Sequence, residues 1–362
     1  MAQQAYNPFG YLRDVCSFVL PDVCGSSPAK NNQVNVMRFR INKIGILLIG
    51  AWCVFFFLRA EALAFDKKFS QALSHYIMAG VFENEGDLEL ATKEYKKAIR
   101  IDRNNPSFHF NLGMNYLKKN DVASAVQELN TTARLDPEAV EPHALLSAIY
   151  YSDNKIEDAN RELEIALERA SVREPKNISI YKTLGMMYLQ QKRFKEAEKT
   201  YRSILALAPD DNEAHFYLGS VYSELGNNAG AIEELKQALQ LKADYHEALN
   251  FLGYLYVEQN TNLQEAERLI KKAVELQPDN GAYIDSLGWL YFKKGRAKDA
   301  LKELERAKDL LSDPVIYDHL GDVYFKLNDF KNAKTSWQES LKLDPRQKTV
   351  EEKLKQLPGN EQ

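Results

Sequence analysis

Eight alanines recur along this chain at an interval of about 34 residues, and this period constrains the fold more than any other feature. They are Ala91, Ala125, Ala159, Ala197, Ala231, Ala266, Ala300 and Ala333. An aromatic residue precedes each alanine by nine or ten positions, as Phe82, Tyr116, Tyr150, Tyr188, Tyr222, Tyr256, Tyr291 and Tyr324. A fixed period of this length predicts a stack of similar structural units rather than independent globular domains.

A small residue precedes each of these aromatics by three positions. The series is Ala79, Gly113, Ser147, Gly185, Gly219, Gly253, Gly288 and Gly321. Glycine inside a helix costs about 1 kcal/mol relative to alanine, so its repeated use predicts a close approach of a second helix. Prolines stand near the end of most units, at Pro137, Pro175, Pro209, Pro278 and Pro345, where they stop a helix. Each unit is therefore predicted to be helix, turn, helix, turn.

This order of Leu-Gly, Tyr, Ala and Pro within about 34 residues resembles the tetratricopeptide repeat. The resemblance implies an all-α, right-handed α-solenoid of eight helix-turn-helix repeats. The predicted repeats are 72–105, 106–139, 140–177, 178–211, 212–245, 246–280, 281–313 and 314–347.

Two insertions and a terminal helix complete the predicted array. Repeat three has four extra residues at Ser171 to Glu174 and repeat six has one near Asn260, and both are expected to lie in turns. Residues 348–358 are predicted to form a capping helix, begun by a capping box of Thr349 and Glu352, with 359–362 as a tail.

The segment before the repeats has the features of an export signal. An uncharged apolar run, Ile44 to Leu58, follows basic residues and precedes the small residues around Ala64. This order predicts a signal peptide at 37–64, cleaved between Ala64 and Phe65, with 65–71 as a linker. Residues 1–36 are then a tail or a mis-assigned start. The alternative is an uncleaved membrane anchor with the repeats outside the cell membrane.

Composition and motifs exclude several functions. The chain has 47 Lys and Arg against 51 Asp and Glu, and a net charge of −4 gives no reason to expect nucleic-acid binding. No nucleophile motif, phosphate loop or paired carboxylates stand out, so we predict no enzyme activity, catalytic residue, cofactor or small-molecule substrate. His75, His109, His143 and His215 occupy one slot of their repeats, too far apart to bind one metal ion, and are predicted to be core residues.

The resemblance also implies that the first helix of each repeat lines a concave, partner-binding groove. Large aromatics at such positions are typical binding anchors, although they could instead pack between helices. A polar series beside them could bind an extended peptide or form a solvated edge. The candidate groove residues are Phe110, Phe216, Asn250, Phe251, Tyr254, Asp285, Trp289, Phe292, Asp318, His319, Asp322 and Phe325. Lys182 is followed by Met186 where a carboxylate clamp needs asparagine, which argues against binding of an acidic chaperone tail.

The stretch from Leu249 to Leu327 is similar to bacterial envelope tetratricopeptide lipoproteins and adaptors, some of which serve a carboxy-terminal processing protease. This similarity implies a protein-binding adaptor in the periplasm or anchored to the membrane facing it, with an envelope protease or assembly machinery as partner. The alternatives are an assembly factor of a pilus, secretion or exopolysaccharide machine, and a cytosolic regulator.

Overall fold

The computed structural model describes the backbone from Ile49 to Leu357 and the side chains from Lys67 to Leu357. Over this range the chain forms seventeen helices and no strand, which confirms the predicted all-α fold class. The tail at 1–36, residues 37–48 of the predicted signal or anchor and the tail at 359–362 lie outside the described residues. The side chains of Ala64 and Phe65, at the predicted cleavage point, also lie outside them.

The chain divides into two compact units at the boundary between Asn177 and Ile178. The first unit contains α1 (Ile49–Asn84), α2 (Leu88–Ile101), α3 (Pro106–Lys118), α4 (Val122–Leu135), α5 (Glu141–Ser152) and α6 (Ile156–Arg173). The second unit contains α7 (Ile178–Gln190), α8 (Phe194–Leu207), α9 (Asn212–Glu224), α10 (Asn228–Leu241), α11 (His246–Glu258), α12 (Leu263–Leu276), α13 (Gly281–Lys293), α14 (Ala297–Leu310), α15 (Pro314–Lys326), α16 (Phe330–Leu343) and α17 (Lys348–Lys355).

The turn between the two helices of each repeat passes through a left-handed residue. Gly or Asn occupies this position in seven repeats, as expected for a positive φ, and Lys192 occupies it in the fourth. Repeat six contains two such residues, Asn260 and Asn262, with φ angles of 51° and 48°. The extra residue of that repeat therefore lies in the turn.

The helical glycines mark where the paired helices approach each other. A Cβ at Gly288 would lie 2.7 Å from Leu304 Cγ and 3.3 Å from the carbonyl oxygen of Ala300. Gly253 has the same relation to Ile270 and Ala266. The recurring alanine therefore contributes its backbone to the contact, and the residue four positions later contributes its side chain. This accounts for the fixed spacing between the small residue and the alanine.

Helix α1 is much longer than the first helix of any later repeat. It runs from Ile49 to Asn84, so the predicted linker at 65–71 is helical and continuous with the first repeat. The sequence Asp66 to Tyr76 contains no glycine or proline that would end the helix. None of the helices from Ile49 onward combines the length and apolar character that crossing a bilayer requires.

Two details of the predicted array are wrong. The insertion in repeat three extends helix α6 to Arg173 instead of lengthening a turn, because no helix breaker occurs before Pro175. Helix α17 begins at Lys348 with Gln347 as its N-cap, so Thr349 is already inside the helix and forms no capping box. The Gln347 amide instead donates to the Ser340 carbonyl at 3.1 Å and the Asp344 carbonyl at 3.2 Å, at the end of α16.

Candidate functional site

The first helices of repeats six, seven and eight lie side by side in the second unit. Helix α11 contacts α13, and α13 contacts α15. Side chains four residues apart share one face of a helix. Each of these helices carries such a pair among the predicted groove residues. We call these six residues, together with Phe292 of α13 and His319 and Phe325 of α15, the first-helix face: Asn250 and Tyr254, Asp285 and Trp289, Asp318 and Asp322.

A buried ion pair joins repeats seven and eight within this face. His319 Nδ1 lies 2.8 Å from Asp285 Oδ1, and both side chains are almost fully buried. Burial opposes the charge on the imidazole, but the Asp285 carboxylate holds the pKa of His319 above its ordinary value. Asp285 and His319 were predicted to contact a partner. The structure pairs them with each other instead, which fixes the two first helices together.

Trp289 covers this ion pair. Its ring stacks on His319 at 4.0 Å between centroids and on Phe292 at 4.9 Å. Its indole nitrogen donates to Glu258 Oε1 at 2.6 Å. Only 7% of Trp289 is exposed. Stacking on an aromatic ring favours a protonated imidazole, so the tryptophan supports the Asp285 pair as well as shielding it.

The two acidic residues of repeat eight are held by the terminal helix. Lys353 Nζ of α17 lies 2.7 Å from Asp318 Oδ1 and 2.7 Å from Asp322 Oδ1. Burial raises the pKa of Asp322, while Lys353 opposes that effect. The Trp337 indole also donates to Asp322, at 3.3 Å. The carboxylates are thus partly buried and paired with a cation from the chain itself.

The two residues of repeat six have no such pairing. Asn250 is 5% exposed, and its amide oxygen has no hydrogen-bond partner among the described residues. Burial raises the pKa of Tyr254, and the charges of Glu258 and Asp285 raise it further. A buried polar atom without a partner is costly, but this oxygen is itself buried, so a segment bound at the surface would not reach it.

The remaining predicted aromatics are Phe216, Phe251, Phe292 and Phe325 in the second unit and Phe110 in the first unit. Phe216 packs against Phe251 at 6.3 Å between ring centroids and against Tyr245 at 5.1 Å. Phe292 is half-buried, and Phe325 is 38% exposed. Phe110 belongs to the first unit and is also half-buried. These residues are therefore partly packing groups, with Phe325 the most open of those in the last repeats.

Lys182, at the clamp position, is held by two acidic residues at the start of helix α9. Its ammonium lies 2.8 Å from Asp211 Oδ2 and 2.9 Å from Glu213 Oε2. A lysine paired in this way must break two ion pairs before it can bind a carboxylate ligand.

The four histidines of the shared slot each pair with a glutamate of the second helix in the same repeat. The pairs are His75 with Glu94, His109 with Glu128, His143 with Glu162, and His215 with Glu234. All four distances are 2.6 or 2.7 Å. The prediction that these histidines are core residues is confirmed for His109 and His143, whereas His75 and His215 are only partly buried. Sequence reasoning missed the glutamate partners. A glutamate 19 residues after each histidine was the signal that could have found them.

We expect the His109 pair to make the first unit more stable at mildly acidic than at alkaline pH. The hydrogen bond to Glu128 raises the pKa of His109 against the effect of burial. A raised folded-state pKa gives stability that is complete below the unfolded value, near 6.5, and is lost as the pH rises through the folded value. His109→Phe keeps the ring but removes the hydrogen bonds, so it should cost about 1 kcal/mol at low pH.

The measurement is urea unfolding of the wild type and His109→Phe at about pH 5.5 and about pH 9, on either side of the ordinary histidine pKa. The difference in the free energy of unfolding between the two proteins should be smaller at the higher pH. A difference that is the same at both pH values would show that His109 contributes packing alone.

Models of the tetratricopeptide repeat match most of the chain. One matches residues 145–212, 182–246, 216–281 and 252–313, a second matches 84–118, and a third matches 314–347. Together they cover residues 84–118 and 145–347. Proteins built from this repeat mediate protein–protein interactions.

Curated relatives share the repeats at low identity. Protein O-mannosyl-transferase TMTC3 of Homo sapiens is 26% identical over 250 residues, which are 68% of this chain and 26% of that protein. A TPR repeat-containing protein of Methanocaldococcus jannaschii is 24% identical over 303 residues, 77% of this chain and 52% of that protein. The chain thus spans about a quarter to a half of the length of these relatives.

Solved structures match the chain at low identity. The Cut9–Hcn1 hetero-tetramer of the APC/C contains a chain that is 16% identical, with a TM-score of 0.50 over 78% of this chain and 69% of that one. A tetratricopeptide repeat protein of Parabacteroides merdae is 17% identical, with a TM-score of 0.44 over 79% of this chain and 98% of that one. The repeat models match more than half of the chain, and together with the helix pairs and the contacts of their glycines they show that the chain belongs to the tetratricopeptide repeat family.

Proposed function

We propose that this chain is an exported adaptor of the bacterial cell envelope that binds an apolar, basic protein segment on the first-helix face. The observation that carries the binding proposal is the combination of half-exposed aromatic rings with carboxylates on neighbouring first helices. Tyr254, Phe292 and Phe325 supply the rings, and Asp318 and Asp322 the carboxylates. Aromatic anchors beside charged groups are typical of surfaces that bind protein segments.

The buried members of the face support this surface without contacting the partner. Asp285 is 1% exposed and His319 is 6% exposed, so their role is to hold α13 against α15. Trp289 covers them and positions Phe292 by stacking. The surface is thus rigid, which reduces the entropy lost on binding.

The sequence before the repeats supports export. Residues 37–64 have the order of a signal peptide or anchor, and the three cysteines of the chain all precede residue 60. Fractionation of the native host tests this part of the proposal. Recovery of the chain with the periplasm or the membrane supports export, and recovery with the cytosol contradicts it.

Binding is tested by fluorescence anisotropy with a short labelled peptide of alternating lysine and leucine. We expect Phe325→Ala or Phe292→Ala to weaken binding by about tenfold, since each removes an anchor ring. The same peptide with glutamate in place of lysine should not bind, because the face is acidic. Leu310→Ala is the matched control, because Leu310 is 45% exposed on a second helix of the same unit. Equal loss in all three variants, or equal binding of both peptides, would contradict the proposal.

Adaptor and assembly roles differ in their partners. In-host crosslinking through a photoreactive residue at Phe325 separates them. A processing protease and varied substrates in the crosslinked products support the adaptor, whereas fixed subunits of one machine support an assembly factor.

A further inference from the structure

Helix α17 places a lysine where the proposed partner would place one. Lys353 Nζ contacts both Asp318 and Asp322 at 2.7 Å, and its side chain is 28% exposed. Asp318 and Asp322 are 20% and 18% exposed with the lysine in place. The described residues place no second lysine or arginine within ion-pair distance of these carboxylates. The chain therefore supplies a cation to the most acidic part of its own first-helix face.

The attachment of α17 is limited in extent. The helix has eight residues, and Val350 is its one fully buried residue. Val350 and the following Leu357 pack with Trp337 and Ala333 of α16. Isolated helices of this length are unstable in water, so α17 depends on these contacts and on Lys353 to stay folded. Such a segment opens at a small fraction of the global unfolding free energy.

The carboxylates need a cation whether or not α17 is docked. Burial raises the pKa of Asp322, and the Asp318 charge raises it further, while Lys353 lowers it. His319 also lies near Asp318 and Asp322, but its imidazole is already hydrogen-bonded to Asp285. Loss of Lys353 would leave two neighbouring partly buried carboxylates without a close countercharge. A lysine or arginine side chain of a partner would restore the pairing.

We propose that α17 is an autoinhibitory helix, in which Lys353 occupies the position of a basic side chain of the partner and must leave before the partner binds. This inference rests on the proposed function of the first-helix face. The apparent dissociation constant of the partner then rises by the factor by which the open state is depopulated. Undocking of α17 would free Asp318 and Asp322 and would at the same time expose Trp337 at the end of the repeat array, because the same helix packs on both.

The test compares binding of the lysine-leucine peptide to the full chain and to three variants. Lys353→Gln removes the charge and should bind the peptide about tenfold more tightly, because more of the protein is open. Lys353→Arg keeps the ion pair and should bind like the wild type. Lys355→Gln makes the same change at an exposed position of the same helix and should also have no effect. Hydrogen exchange of residues 348–357 should rise when the peptide saturates the wild type.

The outcomes separate the two proposals. Peptide binding that is equal or weaker in Lys353→Gln, with no change in exchange of α17, would overturn autoinhibition and leave the proposed binding face intact. Failure of the peptide to bind any of the four proteins would overturn both. Tighter binding in Lys355→Gln as well as in Lys353→Gln would show a general charge effect and would also count against autoinhibition.

Discussion

Replacing Asp285 with alanine is expected to lower the free energy of unfolding of the second unit by about 3 kcal/mol. The change leaves His319, which is 6% exposed, without the carboxylate that stabilises its charge. Removal of one partner from a buried pair costs about 3–5 kcal/mol when the other must remain charged. The imidazole can lose its proton, so we expect the lower end of that range. Urea unfolding followed by tryptophan fluorescence measures the loss, since Trp289 stacks on this histidine.

The pH dependence distinguishes the ion pair from simple packing. The pKa of His319 is raised in the folded protein, so the pair stabilises fully below the ordinary histidine value and its contribution falls as the pH rises through the folded value. The loss in Asp285→Ala should therefore be largest at mildly acidic pH. Asp285→Asn is the control, because its amide oxygen can still accept a hydrogen bond from the neutral ring. A loss in Asp285→Ala that is the same at acidic and alkaline pH would rule out an ionic contribution.

Replacing Gly288 with valine is expected to destabilise the second unit by about 3 kcal/mol, at the upper end for overpacking a well-packed site. A Cβ alone would lie 2.7 Å from Leu304 Cγ, and valine adds two further methyl groups. Leu304 is fully buried, and the Ala300 carbonyl on the other side belongs to the backbone of α14. The helices of repeat seven must therefore separate, and the urea midpoint should fall accordingly.

Gly80→Ala is the matched control for helix propensity. Gly80 lies in α1 with no atom within 4 Å of its ideal Cβ position. Alanine there should stabilise the first unit by about 0.5–1 kcal/mol, because it lowers the conformational entropy of the unfolded chain. Changes of opposite sign in the free energy of unfolding of the two variants would show that close helix packing is the reason for glycine at position 288. Tolerance of Gly288→Val without loss of stability would contradict that explanation.

The periodic elements of the fold were predictable because each repeat solves the same packing problem. The glycine at Gly253 and the alanine at Ala266 stand at fixed spacing because one helix pair needs both in contact. Helix boundaries that occur once in the chain, and not once in every repeat, were less predictable. The insertion at Ser171 continued a helix, and Gln347 rather than Thr349 is the N-cap of α17, because neither feature has a strong sequence signal.

The candidate site was predictable as a set of positions but not as a set of interactions. Spacing of four residues placed Asp285 with Trp289, and Asp318 with Asp322, on one face of their helices. It could not show that Asp285 is bonded to His319, or that Lys353 neutralises the other two carboxylates. These contacts join residues about 31 to 35 positions apart in the chain, and sequence spacing alone carries no information on which rotamers meet.

The sequence by itself determined the repeat unit, its register and the family, because the 34-residue period and its small residues allow one kind of helix stacking. The tertiary structure alone decided which polar groups remain available for a partner. A carboxylate on a predicted binding surface is available only if no cation from an adjacent element reaches it, and that depends on how neighbouring helices pack. Asp285 is therefore a structural residue here, whereas Asp318 and Asp322 form a site that the chain's own terminal helix fills.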